Sequence, residues 1–123
     1  MMVMLTFDEI AHEIHKTSVD KGFWSKVYKY AETTPEKKPI KDIDFMLSKL
    51  ALIHSEVTEV LEAMRKQKDE REVVEEMADI LIRLLDFYQG ALNCGWVESS
   101  LNEVTAQKLN KNKERPPMHG NLA

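Results

Sequence analysis

Two acid pairs stand out in the middle of the sequence, Glu56-x-x-Glu59 and Glu76-x-x-Asp79. Residues three apart on a helix are surface neighbours with Cβ atoms about 5–6 Å apart, so each pair can aim two carboxylates at one point. If a short connection folds the two segments antiparallel, all four carboxylates can converge. Four hard oxygen donors with no His or Cys among them describe a magnesium site, with manganese as a substitute, rather than a zinc site. A lone acid pair on a helix is ordinarily a solvated face. Here the pairs occur on adjacent long segments, and the first interrupts an apolar stripe.

The segments that must position these acids are helical by pattern. Leu47, Leu50, His54, Val57, Leu61 and Met64 recur at three and four residues, a seam for bundle packing that makes His54 a candidate core histidine. Phe45, Leu52 and Ala63 define a second stripe, and at about 100° per residue Glu56 and Glu59 fall within or beside it. A helix apolar on two sides is internal to a bundle or an oligomer, and acids on such a face require partners or a cation. The next helix opens at Asp69, a candidate N-cap with Glu72 three residues on, and runs to about Leu92. Its apolar arc is wide. Glu72, Glu76, Asp79 and Arg83 form a charged stripe at the edge, which favours Glu76 over Glu75 as the partner of Asp79. Arg83, one turn past Asp79, is placed either to pair with it or to orient a ligating carboxylate.

The flanks complete an all-α reading. Thr6-Phe7-Asp8-Glu9 is a capping-box pattern opening a helix that should stop near Lys21-Gly22. Phe23 to Ala31 is helical or turn-like, and Thr33 to Lys41, with Pro35 and Pro39, reads as a loop. Asp42 or Asp44 can cap the second long helix. Asn93-Cys94-Gly95 breaks the chain, a last helix spans about Val97 to Lys113, and Arg115-Pro116-Pro117 ends it. Residues 116–123 read as a flexible tail.

At 123 residues the chain is expected to form one domain, 1–123, with enough length for a real core. Cys94 is the single cysteine, which excludes a disulfide framework or thiolate cluster and points to a reducing compartment. No run approaches the roughly 18 apolar residues of a membrane span, so a cytoplasmic protein without a membrane partner is expected. The net charge of −4 argues against nucleic acid as a partner. Its distribution is more specific. Nine acids face four bases between Glu56 and Asp79, whereas from Thr105 onward four bases face the single acid Glu114. An acidic middle with a basic tail suits a metal held by carboxylates and phosphates held by cations.

Other constellations are weaker. Glu9-x-x-His12 is half of a di-iron motif, but neither His54 nor His119 has a Glu three residues before it. No G-x-x-x-x-G-K-[ST] or G-x-G-x-x-G loop is present to cradle a nucleotide.

The stretch from Leu50 to Glu62, LALIHSEVTEVLE, followed by Glu75 to Arg83, EEMADILIR, resembles the MazG-like nucleoside triphosphate pyrophosphohydrolases. That family's pattern is E-E-x-x-E, a spacer and E-x-x-D; here Ser55 replaces the first Glu, and the four residues usually assigned to the metal remain. Lys108, Asn112, Arg115, Pro116 and His119-Gly120 resemble the family's K-x-x-x-N-x-x-R-P…H-G ending, and Lys21-Gly-Phe-Trp24 a segment found before the acidic helices. The resemblance implies a four-to-five-helix bundle of the all-α NTP pyrophosphatase type, completed by dimerisation or tetramerisation through these helices. It implies hydrolysis of a (deoxy)nucleoside triphosphate to the monophosphate and pyrophosphate, in nucleotide-pool control or house-cleaning. Magnesium would be held by Glu56, Glu59, Glu76 and Asp79, with Lys108, Asn112 and Arg115 neutralising phosphate charge. Lys49, seven residues before Glu56 and so on nearly the same face, is a further phosphate candidate, and Trp24 a candidate for stacking on the base. The competing reading is a non-catalytic helical dimer, a binding or regulatory module whose acids are merely solvated.

Overall fold

The computed structural model describes residues 5–28 and 39–117, and among these it is all helical. The elements are α1 (Phe7–Asp20), α2 (Ser25–Tyr28), α3 (Ile43–Arg65), α4 (Glu70–Asn93) and α5 (Leu101–Glu114). Helix α1 opens on the expected capping box: Thr6 Oγ1 accepts from the Glu9 amide and the Glu9 carboxylate takes the Thr6 amide. It closes at Lys21, after which Gly22 adopts φ 86°, a left-handed conformation that glycine enters without a Cβ clash. Asp42, not Asp44, caps α3 by accepting from the Phe45 amide at 3.1 Å. Asp69 holds the N-cap position of α4 but its side chain makes no capping hydrogen bond. The expected loop over Thr33–Lys41 lies mostly outside the described residues, as do Met118 to Ala123.

Helix α5 begins at Leu101, four residues later than its apolar pattern suggests. Ser100 is the N-cap, and the residues before it are held in a bend from outside. Tyr88 Oη donates to the Ser99 carbonyl at 2.8 Å and accepts from the Leu101 amide at 3.1 Å. Asp8 at the start of α1 accepts from the Ser100 hydroxyl and from the Asn102 amide at 3.1 Å. These contacts between helix ends outweigh local propensity.

Helices α3 and α4 form an antiparallel hairpin, and α1 packs on the C-terminal half of α4. The core is therefore at one end. Trp24, Val27, Tyr28, Phe45, Met46, Ala91 and Cys94 form its cluster, with Val19, Phe87 and Trp96 against it. Gly90 makes this possible: a Cβ there would lie 2.1 Å from Trp24 Cη2, so the fully buried indole rests directly on the α4 backbone.

The two stripes of α3 have roles opposite to those the pattern suggests. Phe45 and Ala63, from the shorter stripe, are buried, whereas Leu47, Leu50, Val57, Leu61 and Met64 of the long seam are exposed. His54 lies with them in solvent and is not a core histidine. Helix α4 likewise exposes Val74, Met77, Leu81 and Leu84. Two helices alone cannot bury both sides of each other, so the long seam has no partner within the described residues. No described helix is long and apolar enough to cross a membrane.

Candidate functional site

The hairpin brings Glu56 of α3 together with Glu76 and Asp79 of α4. Each offers a carboxylate oxygen, and these atoms lie within 4.8 Å of one another. Asp79 is exposed, while Glu56 and Glu76 are partly buried. Desolvation, then the negative charges of Asp79, Glu59, Glu56 and Glu72, hold the Glu76 carboxyl above its ordinary value. Glu59 is thus close enough to act on Glu76 but stands outside the group of three. Glu75 turns away to Arg71, at 3.2 Å, and Glu72 pairs with Lys68 at 3.6 Å. Crowded hard oxygen donors whose charges raise the proton affinity of Glu76 fit a divalent cation, which relieves the repulsion that a proton otherwise relieves.

Arg83 does not pair with Asp79 one turn back. Its Nε donates to Glu56 Oε1 across the hairpin at 2.8 Å, which fixes that carboxylate from behind and leaves the rest of the guanidinium for another anion.

From the acids a cleft of about 640 Å³ runs between α1, α3 and α4. Its walls are apolar: Ile14, Phe23, Leu52, Ile82 and Phe87. Glu56, Asp79 and Arg83 line one end, and Thr17, Ser18, Lys21, Lys49 and Asp86 contribute the other polar groups. Lys49 Nζ donates to the Phe23 carbonyl at 3.0 Å and lies 4.8 Å from the Trp24 ring centroid and 5.1 Å from that of Phe45. Desolvation lowers its pKa, and the aromatic faces compensate the charge.

Beneath the cleft lies a buried polar relay that the sequence reading did not find. Asp86 accepts from His15 Nδ1 at 2.7 Å, from Ser18 Oγ at 2.9 Å, and from Trp24 Nε1 at 3.0 and 3.2 Å to its two oxygens. His15 Nε2 meets Tyr28 Oη at 2.6 Å, Asn93 Nδ2 donates to that hydroxyl at 2.9 Å, and Gln89 Nε2 donates to Asn93 Oδ1 at 2.8 Å. Burial pushes the Tyr28 hydroxyl up to about 12, so it stays protonated. With Asn93 donating to it, Tyr28 gives its proton to His15 Nε2, and every group is satisfied with the His15 proton on Nδ1. Burial alone would raise the Asp86 pKa; the hydrogen bonds from His15, Trp24 and Ser18 outweigh it and lower the value. A signal for this relay existed. Asp86 lies seven residues after Asp79, on nearly the same helix face, and an acid within the apolar run from Ile80 to Leu92 requires donors from a neighbouring element.

The remaining sequence candidates fall elsewhere. Trp24 is fully buried, stacked on Phe45 with centroids 5.3 Å apart, and is not available to stack on a base. A large ring beside a helical glycine was drawn into the core. Lys108 and Asn112 project from α5 and Arg115 follows it, all exposed, and none lines the cleft, because α5 packs against α1.

Searches among curated proteins and among solved structures found no match to the chain. A family model described as the MazG nucleotide pyrophosphohydrolase domain matches residues 46–119, which takes in all but the first three residues of α3, together with α4, α5 and all three clustered acids. That span is more than half of the chain, and the chain belongs to the MazG nucleotide pyrophosphohydrolase family.

Proposed function

We propose that the chain hydrolyses (deoxy)nucleoside triphosphates to the monophosphate and pyrophosphate in a magnesium-dependent reaction at the acid end of the cleft. The observation that carries this reading is the convergence of Glu56, Glu76 and Asp79 at the mouth of an apolar cleft large enough for a nucleoside, in a chain of this family. Glu56, Glu76 and Asp79 would hold the cation, with Glu59 as the fourth acid on the metal side. Bound there, magnesium or manganese supplies charge neutralisation for the phosphates and a lowered pKa for water. The chain's own contribution is positioning. Arg83 orients Glu56 and offers its free N–H groups to phosphate, Lys49 adds a second cation, and the apolar walls exclude water from the nucleoside. Water adds across the α–β anhydride: its oxygen ends on one product, the bridging P–O bond breaks, and the charge passes to the departing group.

Lys108, Asn112 and Arg115 serve phosphate in this reading only if a second copy brings α5 to the mouth of the cleft. The exposed seam on α3 and the matching residues of α4 supply a face for such a copy, so the working unit is a homodimer or homotetramer of a single helical domain. A cytoplasmic role in nucleotide-pool control accords with this chemistry.

The test is a panel of ribo- and deoxyribonucleoside triphosphates with magnesium, read for monophosphate and pyrophosphate. Release of orthophosphate instead, or no turnover of any member, would overturn the proposal.

A further inference from the structure

The sequence offers Trp24 as the ring to stack on a base, and packing takes that ring into the core. Its neighbour Phe23 is turned outward. At 62 % it is the most exposed large apolar side chain among the described residues, and it lines the cleft. A single exposed phenyl group is common on protein surfaces and signals nothing alone. What sets Phe23 apart is that its backbone is fixed from both sides. Its amide donates to the Ser18 carbonyl at 3.1 Å, and Lys49 Nζ donates to its carbonyl at 3.0 Å. Before it, Gly22 holds φ 86° and its carbonyl accepts from the Ser25 hydroxyl at 2.9 Å. After it, Trp24 is fully buried and bonded through Nε1 to Asp86. The turn is rigid, and the ring it presents stays outside the core cluster. Lys49 Nζ stands 6.0 Å from the ring centre, at the outer limit of a cation–π contact, so that contact does not occupy the ring.

We infer that Phe23 is the residue on which the nucleobase stacks, a binding site for the flat face of a heteroaromatic ring. This rests on the reading that the cleft takes a nucleotide. Phe23 comes from the turn between α1 and α2, whereas the acids come from the part of the hairpin that these two helices leave uncovered. A nucleotide whose phosphates meet the acids and Arg83 therefore has its base toward Phe23. Phe87, the other aromatic lining the cleft, is partly buried against the core and offers less face. A phenyl ring has no hydrogen-bonding group, so it reads the face of a base and not its edge. Stacking of this kind accepts every base, and the larger purines gain more contact than pyrimidines. Because the turn is already fixed, little freedom is lost when the base arrives.

The experiment replaces the ring. Phe23→Leu keeps an apolar side chain without a π face, and Phe23→Trp enlarges the face; the position is exposed, so both variants should fold. With magnesium, Phe23→Leu should lower kcat/KM for adenosine triphosphate about tenfold, and that for cytidine triphosphate less. Phe23→Trp should keep the native value or exceed it. Inhibition by pyrophosphate, which has no base, should be unchanged in both. Weakened pyrophosphate inhibition alongside the loss in Phe23→Leu would mark a damaged cleft, and a native kcat/KM would mark an idle ring; either overturns the inference. A second measurement needs no turnover. The added indole of Phe23→Trp should lose fluorescence when adenosine monophosphate binds and keep it with ribose 5-phosphate, the native protein supplying the background of Trp24 and Trp96. Quenching by adenosine monophosphate alone supports the inference even if no triphosphate is hydrolysed. Emission that ignores adenosine monophosphate, answers ribose 5-phosphate equally, or changes only with protein concentration, as a contact between copies would, overturns it even if triphosphates are turned over.

Discussion

The two ends of the α3–α4 hairpin are built on different terms. At one end α1 and α2 close over the hairpin, and the polar groups of His15, Asp86, Tyr28, Asn93 and Gln89 answer one another. At the other, α3 and α4 stand alone with Val57, Leu61, Met64, Val74 and Met77 exposed, and the Glu56, Glu76 and Asp79 carboxylates gather with Arg83, on Glu56, as their one ion-pair partner among the described residues. The first end satisfies its buried relay from its own side chains. Under the proposed function the second would receive what it lacks, a cation for the acids and a second copy for the apolar seam. The cleft lies across the boundary, so substrate would rest on the rigid end while its phosphates meet the incomplete one. Rigid support beneath and an open position above is the arrangement that pre-organised sites require.

The largest expected effect is at the incomplete end. Asp79→Asn should lower turnover about a thousandfold or more, equivalent to roughly 4 kcal/mol of transition-state stabilisation, with the helical circular dichroism unchanged. Glu59→Gln should cost less than Asp79→Asn, because Glu59 stands outside the three clustered oxygens. Retained activity in Asp79→Asn would falsify the assignment of this end to the chemistry.

At the complete end the large effect is on stability. Gly90→Ala should destabilise by about 2 kcal/mol or more, because the added methyl meets an indole with no room to move, and this outweighs the roughly 1 kcal/mol that alanine gains in a helix. Thermal melts check this; a Gly90→Ala variant as stable as the native protein would show that the Trp24 packing is looser than described.

A third test adds what the incomplete end lacks. Magnesium at a hundred times its dissociation constant should stabilise by about 2.7 kcal/mol, and the shift should vanish in Glu76→Gln combined with Asp79→Asn. A shift that survives the double substitution places the cation elsewhere.

The smallest effect is a contrast in pH dependence without metal. The Asp86 pKa is lowered in the folded state, so the stability it contributes is present above its unfolded value and lost as pH falls through the folded one. Glu76 is raised, so the folded state binds its proton more readily than the unfolded chain, and its penalty develops as pH rises from the unfolded value through the folded one. Urea titrations over the carboxylate range should show Asp86→Asn flattening the acid-side loss and Glu76→Gln removing the penalty on the other side. The same slope in both variants would erase the contrast.

Many of the helix ends were legible because their signals are local. Thr6 with Glu9, Asp42, Gly22 and Gly95 mark helix ends through hydrogen bonds and φ values that depend on a few neighbouring residues. The start of α5 was not legible, because Asp8 and Tyr88 hold Ser99 and Ser100 from distant parts of the chain. The stripes of α3 were visible as stripes, but periodicity records that a face is apolar and not which partner covers it. For the site, spacing placed Glu76 and Asp79 together and set Glu75 aside. It could not separate Glu59 from Glu56, since both lie near the same stripe and only the hairpin register decides which reaches α4.

The sequence by itself determined an all-helical chain, two acid pairs on consecutive helices and a hard-oxygen character for whatever they hold, because these follow from residue type and spacing along one helix. Only the tertiary structure decided that Arg83 supports Glu56, that Trp24 belongs to the core, that Lys108 and Asn112 lie away from the cleft, and that Asp86 heads a buried relay. Each of these depends on which elements meet, and two helices meet according to volumes and registers distributed over the whole chain rather than any short motif. The sequence identifies the acids, and packing determines what stands around them.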